Sequence, residues 1–174
     1  LAAVPDVYRL IATTGDESGR LLELPTGIRD GTTGVGNFNA SSQYFQTAHR
    51  RPLIGGYLSR ISRWRISENQ RAPMLRALFA LSEGRQLPAE QMNQARRARV
   101  AFLRRSCVRF VVVNKRRASN DLQAFAVEAL GLRRVHEDAA YVLFTPADPP
   151  ACEPPPRLAR RRLTDVRRWR KPLQ

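Results

Sequence analysis

The chain has 174 residues, enough for one domain with a real core; 43% of them are apolar and only 7% aromatic. Thirty Lys plus Arg against fifteen Asp plus Glu give a formal net charge of +15, nearly all of it from arginine. No run of about 18 apolar residues exists to span a bilayer, and so basic a surface favours polyanions: nucleic acid, anionic lipid headgroups or phosphorylated substrates.

The sequence begins Leu1-Ala-Ala-Val-Pro5 without a methionine start or a charged-then-apolar leader, so it reads as a fragment of something longer. Val7, Tyr8 and Ile11 share one face of a short helix over residues 6–13, and residues 15–19 form a polar turn. The compact apolar run 20–24, ended by Pro25, fits a buried strand. Residues 25–38 are read as a loop rich in Gly and Thr. Asn39 or Ser41 can cap a helix that runs to about His49, and Pro52 stops it. Residues 72–82 place Met74, Leu75, Leu78, Phe79 and Leu81 at helical spacing. A single helix over 89–106 follows Pro88, with Met92, Ala95, Phe102 and Leu103 inward and an arginine face outward.

The pattern then changes. Residues 108–113 (Val-Arg-Phe-Val-Val-Val) are the clearest strand; Ser119 and Asn120 cap a helix through Leu130 that ends at Gly131; residues 133–137 and 141–144 are two further strands around a turn at 138–140. This order predicts an α/β fold: a small layered domain whose mostly parallel or mixed sheet of about four strands is covered by helices. The body is expected over 1–146. A proline-rich linker over 147–156 and a basic tail over 157–174 follow, the tail carrying eight Lys or Arg against the single acid Asp165, a net +7. The tail is read as an amphipathic helix suited to an anionic membrane, as a mobile basic arm for nucleic acid, or as a mobile solvated tail with no dedicated partner.

The block from 21 to 60 holds most of the chemical punctuation. Arginine guanidinium and glycine amide recur there, and both favour anionic or polyhydroxylated ligands. Gly31-x-x-Gly34-x-Gly36 does not follow the dinucleotide-binding order and is read as a plain loop. Glu23 and Asp30 flank the end of the first strand, where an acid–base pair can sit; the simpler reading pairs Glu23 with Arg29 or Arg60. His49 is expected to be a cation stabilised by its helix C-terminus, and His136 to be structural. Cys107 and Cys152 fit neither a disulfide framework nor a zinc site and are read as two free thiols, with one bridge as the alternative. Asn39-Ala-Ser41 is formally a glycosylation acceptor. No nucleophile elbow, catalytic triad order, metal-spaced cluster or lysine-bearing phosphate loop is found, so no cofactor or metal is expected.

Several phrases carry a family resemblance: Leu22-Glu-Leu-Pro25, Arg29-Asp-Gly31, Gln43 to Gln46 with His49, and Pro52-Leu-Ile-Gly-Gly-Tyr-Leu-Ser-Arg60, then the valine-rich strand and Tyr141-Val-Leu-Phe144. Over about residues 5–145 the chain resembles the extramembrane C-terminal region of bacterial multi-spanning proteins akin to the C-type glycosyltransferase superfamily. The resemblance implies a soluble scaffold or acceptor-binding domain, without activity of its own, on the extracytoplasmic side. It implies the membrane part of the same polypeptide as partner and a lipid-phosphate sugar or anionic lipid as ligand. Arg29, Asp30, His49, Gly55, Gly56, Tyr57 and Arg60 are the residues expected to line the site. The alternative of another class is a nucleic-acid-binding protein, motivated by the charge.

Overall fold

A computed structural model describes residues 3–14 and 19–153. The predicted 157–174 tail lies outside them. In chain order the elements are α1 (Asp6–Thr13), β1 (Arg20–Leu24), β2 (Gly27–Arg29), β3 (Gly34–Gly36), α2 (Ser41–His49), β4 (Leu53–Ile54), β5 (Gly56–Tyr57), α3 (Arg63–Arg71), α4 (Pro73–Ser82), α5 (Ala89–Arg97), α6 (Arg99–Ser106), β6 (Val108–Asn114), α7 (Asn120–Leu130), β7 (Leu132–Glu137) and β8 (Tyr141–Pro146). The α/β class is as the pattern predicted, and all four expected strands lie in one mixed sheet.

That sheet runs β4-β1-β6-β8-β7. β1 pairs parallel with β4 and with β6, while β8 pairs antiparallel with β6 and β7. Alternation explains the layering, because successive strand residues point to opposite faces. Leu22 and Leu24 of β1, with Val111 and Val113 of β6, meet α4, α5, α6 and α7 on one face. Leu21, Phe110 and Val112 meet Val7, Tyr8 and Ile11 of α1 and Phe45 of α2 on the other. The domain is therefore three-layered. Val111, Val112 and Val113 are wholly buried, each contributing roughly 1.5–3 kcal/mol of burial, which is why this run has no polar member.

Local signals set most boundaries. The Ser119 hydroxyl accepts from the Leu122 amide (3.2 Å) and Gly131 closes α7 in the left-handed region at φ 58°. Pro73 begins α4 at a position where its missing N–H costs nothing. At α2 the helix starts on Ala40, and the Asn39 carboxamide accepts from the Ser41 amide (3.2 Å).

Four expectations need correction. Residues 25–38 are not all loop: β2 and β3 form a hairpin, and β5 adds a parallel strand to make a small second sheet, β3-β2-β5. Ile28, Val35, Ile61 and Phe79 hold it on α4, with α3 joining through Ile66. The 89–106 helix is two, since Ala98 sits at ψ 1°, far from the helical value of about −42°. Cys107 and Cys152 are joined in a disulfide. Residues 147–153 are consequently docked rather than a free linker: the Ala147 amide donates to Gly131 O (2.9 Å), the Glu153 amide to Arg104 O (3.0 Å), and the Arg109 guanidinium to Pro150 O (3.3 Å). Spacing alone could not show the pairing, because it depends on a turn at Cys107 (φ 49°) meeting the returning chain.

Candidate functional site

Seven residues were expected to converge, and the structure divides them into three places. Arg29, Asp30 and Tyr57 are together. Arg29 closes β2, Tyr57 closes β5, and the two are register partners across that parallel pair. Partners in adjacent strands present their side chains on the same face. Tyr57 is 46% exposed and its hydroxyl reaches across Gly31, 3.7 Å from where a Cβ would stand. Two adjoining clefts of about 270 and 250 Å³ share Arg29, Asp30, Gly31 and Phe38; Thr32, Thr33, Gly34, Gly36 and Asn37 complete the first, Ala40 and Tyr57 the second. Arg29 is exposed and makes no ion pair among the described residues.

Asp30 organises this region rather than opening it to chemistry. One carboxylate oxygen accepts from the Thr32 amide (2.8 Å), the Thr33 amide (2.6 Å) and the Thr32 hydroxyl (3.2 Å). The other accepts from the Ile61 amide (2.8 Å), which ties the chain entering α3 to the hairpin loop. These bonds, that from Thr32 foremost, favour the ionised form and hold its pKa down at about 2. A carboxylate so saturated is a poor proton acceptor at neutral pH. The amides of Thr32 and Thr33 are likewise occupied, and the Gly36 amide donates to the Glu83 carboxylate (2.6 Å). Those three glycine-loop amides are thus closed by acidic side chains of the protein itself.

Gly55 and Gly56 act through the backbone. Gly55 adopts φ 96°, and a Cβ there would overlap the Gly27 carbonyl oxygen, so the glycine lets β5 lie close to β2. Gly56 adopts φ 136° beside Gln43. Arg60 is exposed on the segment before α3 and lines neither cleft.

His49 lies elsewhere, on α2 beneath α1. It is 2% exposed, stacks on Tyr8 with ring centroids 5.7 Å apart, and its Nδ1 accepts from the Arg51 amide (3.0 Å). Burial, reinforced by the Arg51 charge, lowers its pKa to about 4. The expected helix-end cation is therefore a neutral imidazole at physiological pH, because loss of hydration outweighs the helix dipole. His49 borders a separate cleft of about 620 Å³ with Thr14, Thr47, Arg50 and Arg51.

Glu23 pairs with neither Arg29 nor Arg60. It is 5% exposed, and its carboxylate accepts from the Tyr8 hydroxyl (2.8 Å), with the Ser42 hydroxyl adding a second bond. Burial raises its pKa despite those hydroxyls and the more distant Arg117 charge. The same burial, with the Glu23 charge beside it, raises Tyr8 further. Glu23 and Asp30, adjacent to the first strand in sequence, thus face different layers and cannot act as an acid–base pair.

Sequence reading missed Phe38 and the role of Gln43. The Gln43 carboxamide donates to Tyr57 O (3.0 Å) and accepts from the Tyr57 amide (3.3 Å), which clamps β5 onto α2. Only Gln43's place in the helix near His49 was visible beforehand. No protein-family model, curated protein or solved structure matches this chain.

Proposed function

We propose that this chain is a non-catalytic accessory domain of a membrane glycosyltransferase-like protein. In this reading it faces the extracytoplasmic side, and the Arg29–Tyr57 cleft receives the phosphate and sugar hydroxyls of a lipid-phosphate sugar. The observation that carries the reading is the register pairing of two exposed side chains, a cation and an aromatic ring with a polar tip, over the open hairpin cleft. A guanidinium can bind a phosphate through two parallel N–H donors, and a half-exposed tyrosine offers a sugar both a flat face and a hydroxyl. The groups that could have moved a proton are committed elsewhere: Asp30 to backbone amides, Glu23 to buried hydroxyls. A disulfide is also consistent with an oxidising compartment.

Titration with a short-chain prenyl-phosphate sugar, followed by calorimetry, tests this. Wild type should bind, and Arg29→Ala should weaken binding by about tenfold or more, the loss of roughly 1.5–3 kcal/mol for a charged hydrogen bond. Tyr57→Ala should also weaken it, whereas Arg60→Ala should change it little. No binding by wild type, or equal binding by Arg29→Ala, removes the proposal.

A further inference from the structure

Four aliphatic side chains that the core leaves half-buried meet in one place: Leu53 and Ile54 of β4, Leu58 just after β5, and Leu75 of α4. They come from the margins of all three apolar clusters. Leu53 belongs to the layer under α1 and α2, Ile54 and Leu75 to the layer under α4 to α7, and Leu58 to the small sheet. With the buried Ile28 and Phe79 they line a cleft of about 380 Å³ beside β4, the outermost strand of the five-stranded sheet, where the two sheets adjoin. Ile28 precedes Arg29 on β2, and successive strand residues point to opposite faces. This cleft therefore lies behind the small sheet, and it shares no residue with the clefts at Arg29 and Tyr57. Its polar groups come from two sources. Arg20, whose amide donates to Cys107 O (2.8 Å), stands with Ser106, while Glu68 and Asn69 come from α3. Arg20 and Glu68 are both exposed, and neither makes an ion pair among the described residues, not even with the other. In a chain with thirty cations for fifteen acids, an unpaired Glu68 beside an unpaired Arg20 stands out.

We propose that this cleft binds a small apolar α-amino acid as its zwitterion, with the carboxylate at Arg20, the ammonium at Glu68 and the side chain among Ile28, Leu58, Leu75 and Phe79. Small-molecule sites are concave, mostly apolar and oriented by a few polar groups, with volumes of about 300–1,000 Å³. The cleft lies at the low end of that range, which suits a short chain rather than a long one. A guanidinium holds a carboxylate through two parallel N–H donors, and a carboxylate such as Glu68 accepts the ammonium N–H groups. Charge complementarity selects the zwitterion: a simple fatty acid leaves Glu68 unpartnered beside a second negative charge, and a simple amine does the same to Arg20. Binding releases water from four half-exposed aliphatic chains gathered in one patch, which is the part of the surface where such release gains most. The site does not depend on whether the Arg29–Tyr57 cleft takes a sugar phosphate.

Leucine and its one-group deletions test each part separately, with the methyl NMR signals of Ile28 and Ile54 in the full chain as reporters of the site. L-Leucine should shift both signals in a saturable way. 4-Methylpentanoate, which lacks the ammonium, 3-methylbutylamine, which lacks the carboxylate, and glycine, which lacks the apolar chain, should each bind about fivefold more weakly or worse. Arg20→Gln and Glu68→Gln should each weaken leucine by about fivefold. Arg133→Gln, on β7 at the opposite edge of the sheet, should leave it unchanged; circular dichroism checks that each variant is folded. Three results overturn the proposal: no shift of Ile28 and Ile54 with leucine, equal binding of leucine and any one of the three analogues, or wild-type leucine binding by folded Arg20→Gln or Glu68→Gln. The analogue series needs no variant, so it decides the matter even where a substitution unfolds the chain.

Discussion

Replacing Cys152 with alanine should destabilise this protein measurably although the residue lies beyond the last strand. The bridge to Cys107 closes a segment of 45 residues. Fixing the ends of such a loop in the unfolded chain corresponds to about 4 kcal/mol on a chain-entropy account. Part of this is offset in the native state, because residues 147–153 of the unbridged chain recover freedom. Against that, three hydrogen bonds, from Ala147, Glu153 and Arg109, still hold the segment. The expected loss is therefore about 2–4 kcal/mol, or a fall in Tm of roughly 10 °C for a chain of this size. Thermal unfolding by far-ultraviolet circular dichroism, with and without a phosphine reductant, measures it. Reduced wild type should unfold with Cys152→Ala, and the variant should ignore the reductant. A variant within about 2 °C of oxidised wild type would refute the reasoning, since an entropic clasp across this loop cannot be so weak.

His49 should titrate by NMR near its folded value of about 4. Its stabilising contribution is complete above the ordinary value of 6.5 and is lost as pH falls through 4, because the unfolded chain binds the proton first. Glu23 has the opposite sign: its raised pKa contributes stability below the ordinary value of 4.5 that is lost as pH rises, so Glu23→Gln should flatten the decline of unfolding free energy above that pH in urea titrations. Gly55→Ala should cost more than about 1 kcal/mol in the same assay and abolish the ligand binding proposed at Arg29, because both φ 96° and the Gly27 carbonyl exclude a side chain.

Elements whose period and punctuation agree were legible without the structure. The run at 108–113 could only be a buried strand, and the helix from Ser119 to Gly131 carries its own cap and stop. The candidate site was partly legible. Arg29, Asp30 and Tyr57 were picked out as part of one block, yet the strands that align Arg29 with Tyr57 are three and two residues long. Strands so short show no periodicity, and they pair only because Gly55 lets the backbones approach.

The sequence by itself determined the layered α/β class, since the order and period of apolar residues allow few ways to bury both faces of a sheet. It also determined the charge, which is a property of composition alone. The tertiary structure decided what each polar residue does. Glu23 and Asp30 differ little as letters, but one is sealed with Tyr8 between α1 and the sheet while the other binds three backbone amides. His49 is neutral and Cys107 is bridged for the same reason: protonation and pairing depend on solvent access and on neighbours distant in the chain, and only the folded arrangement supplies them.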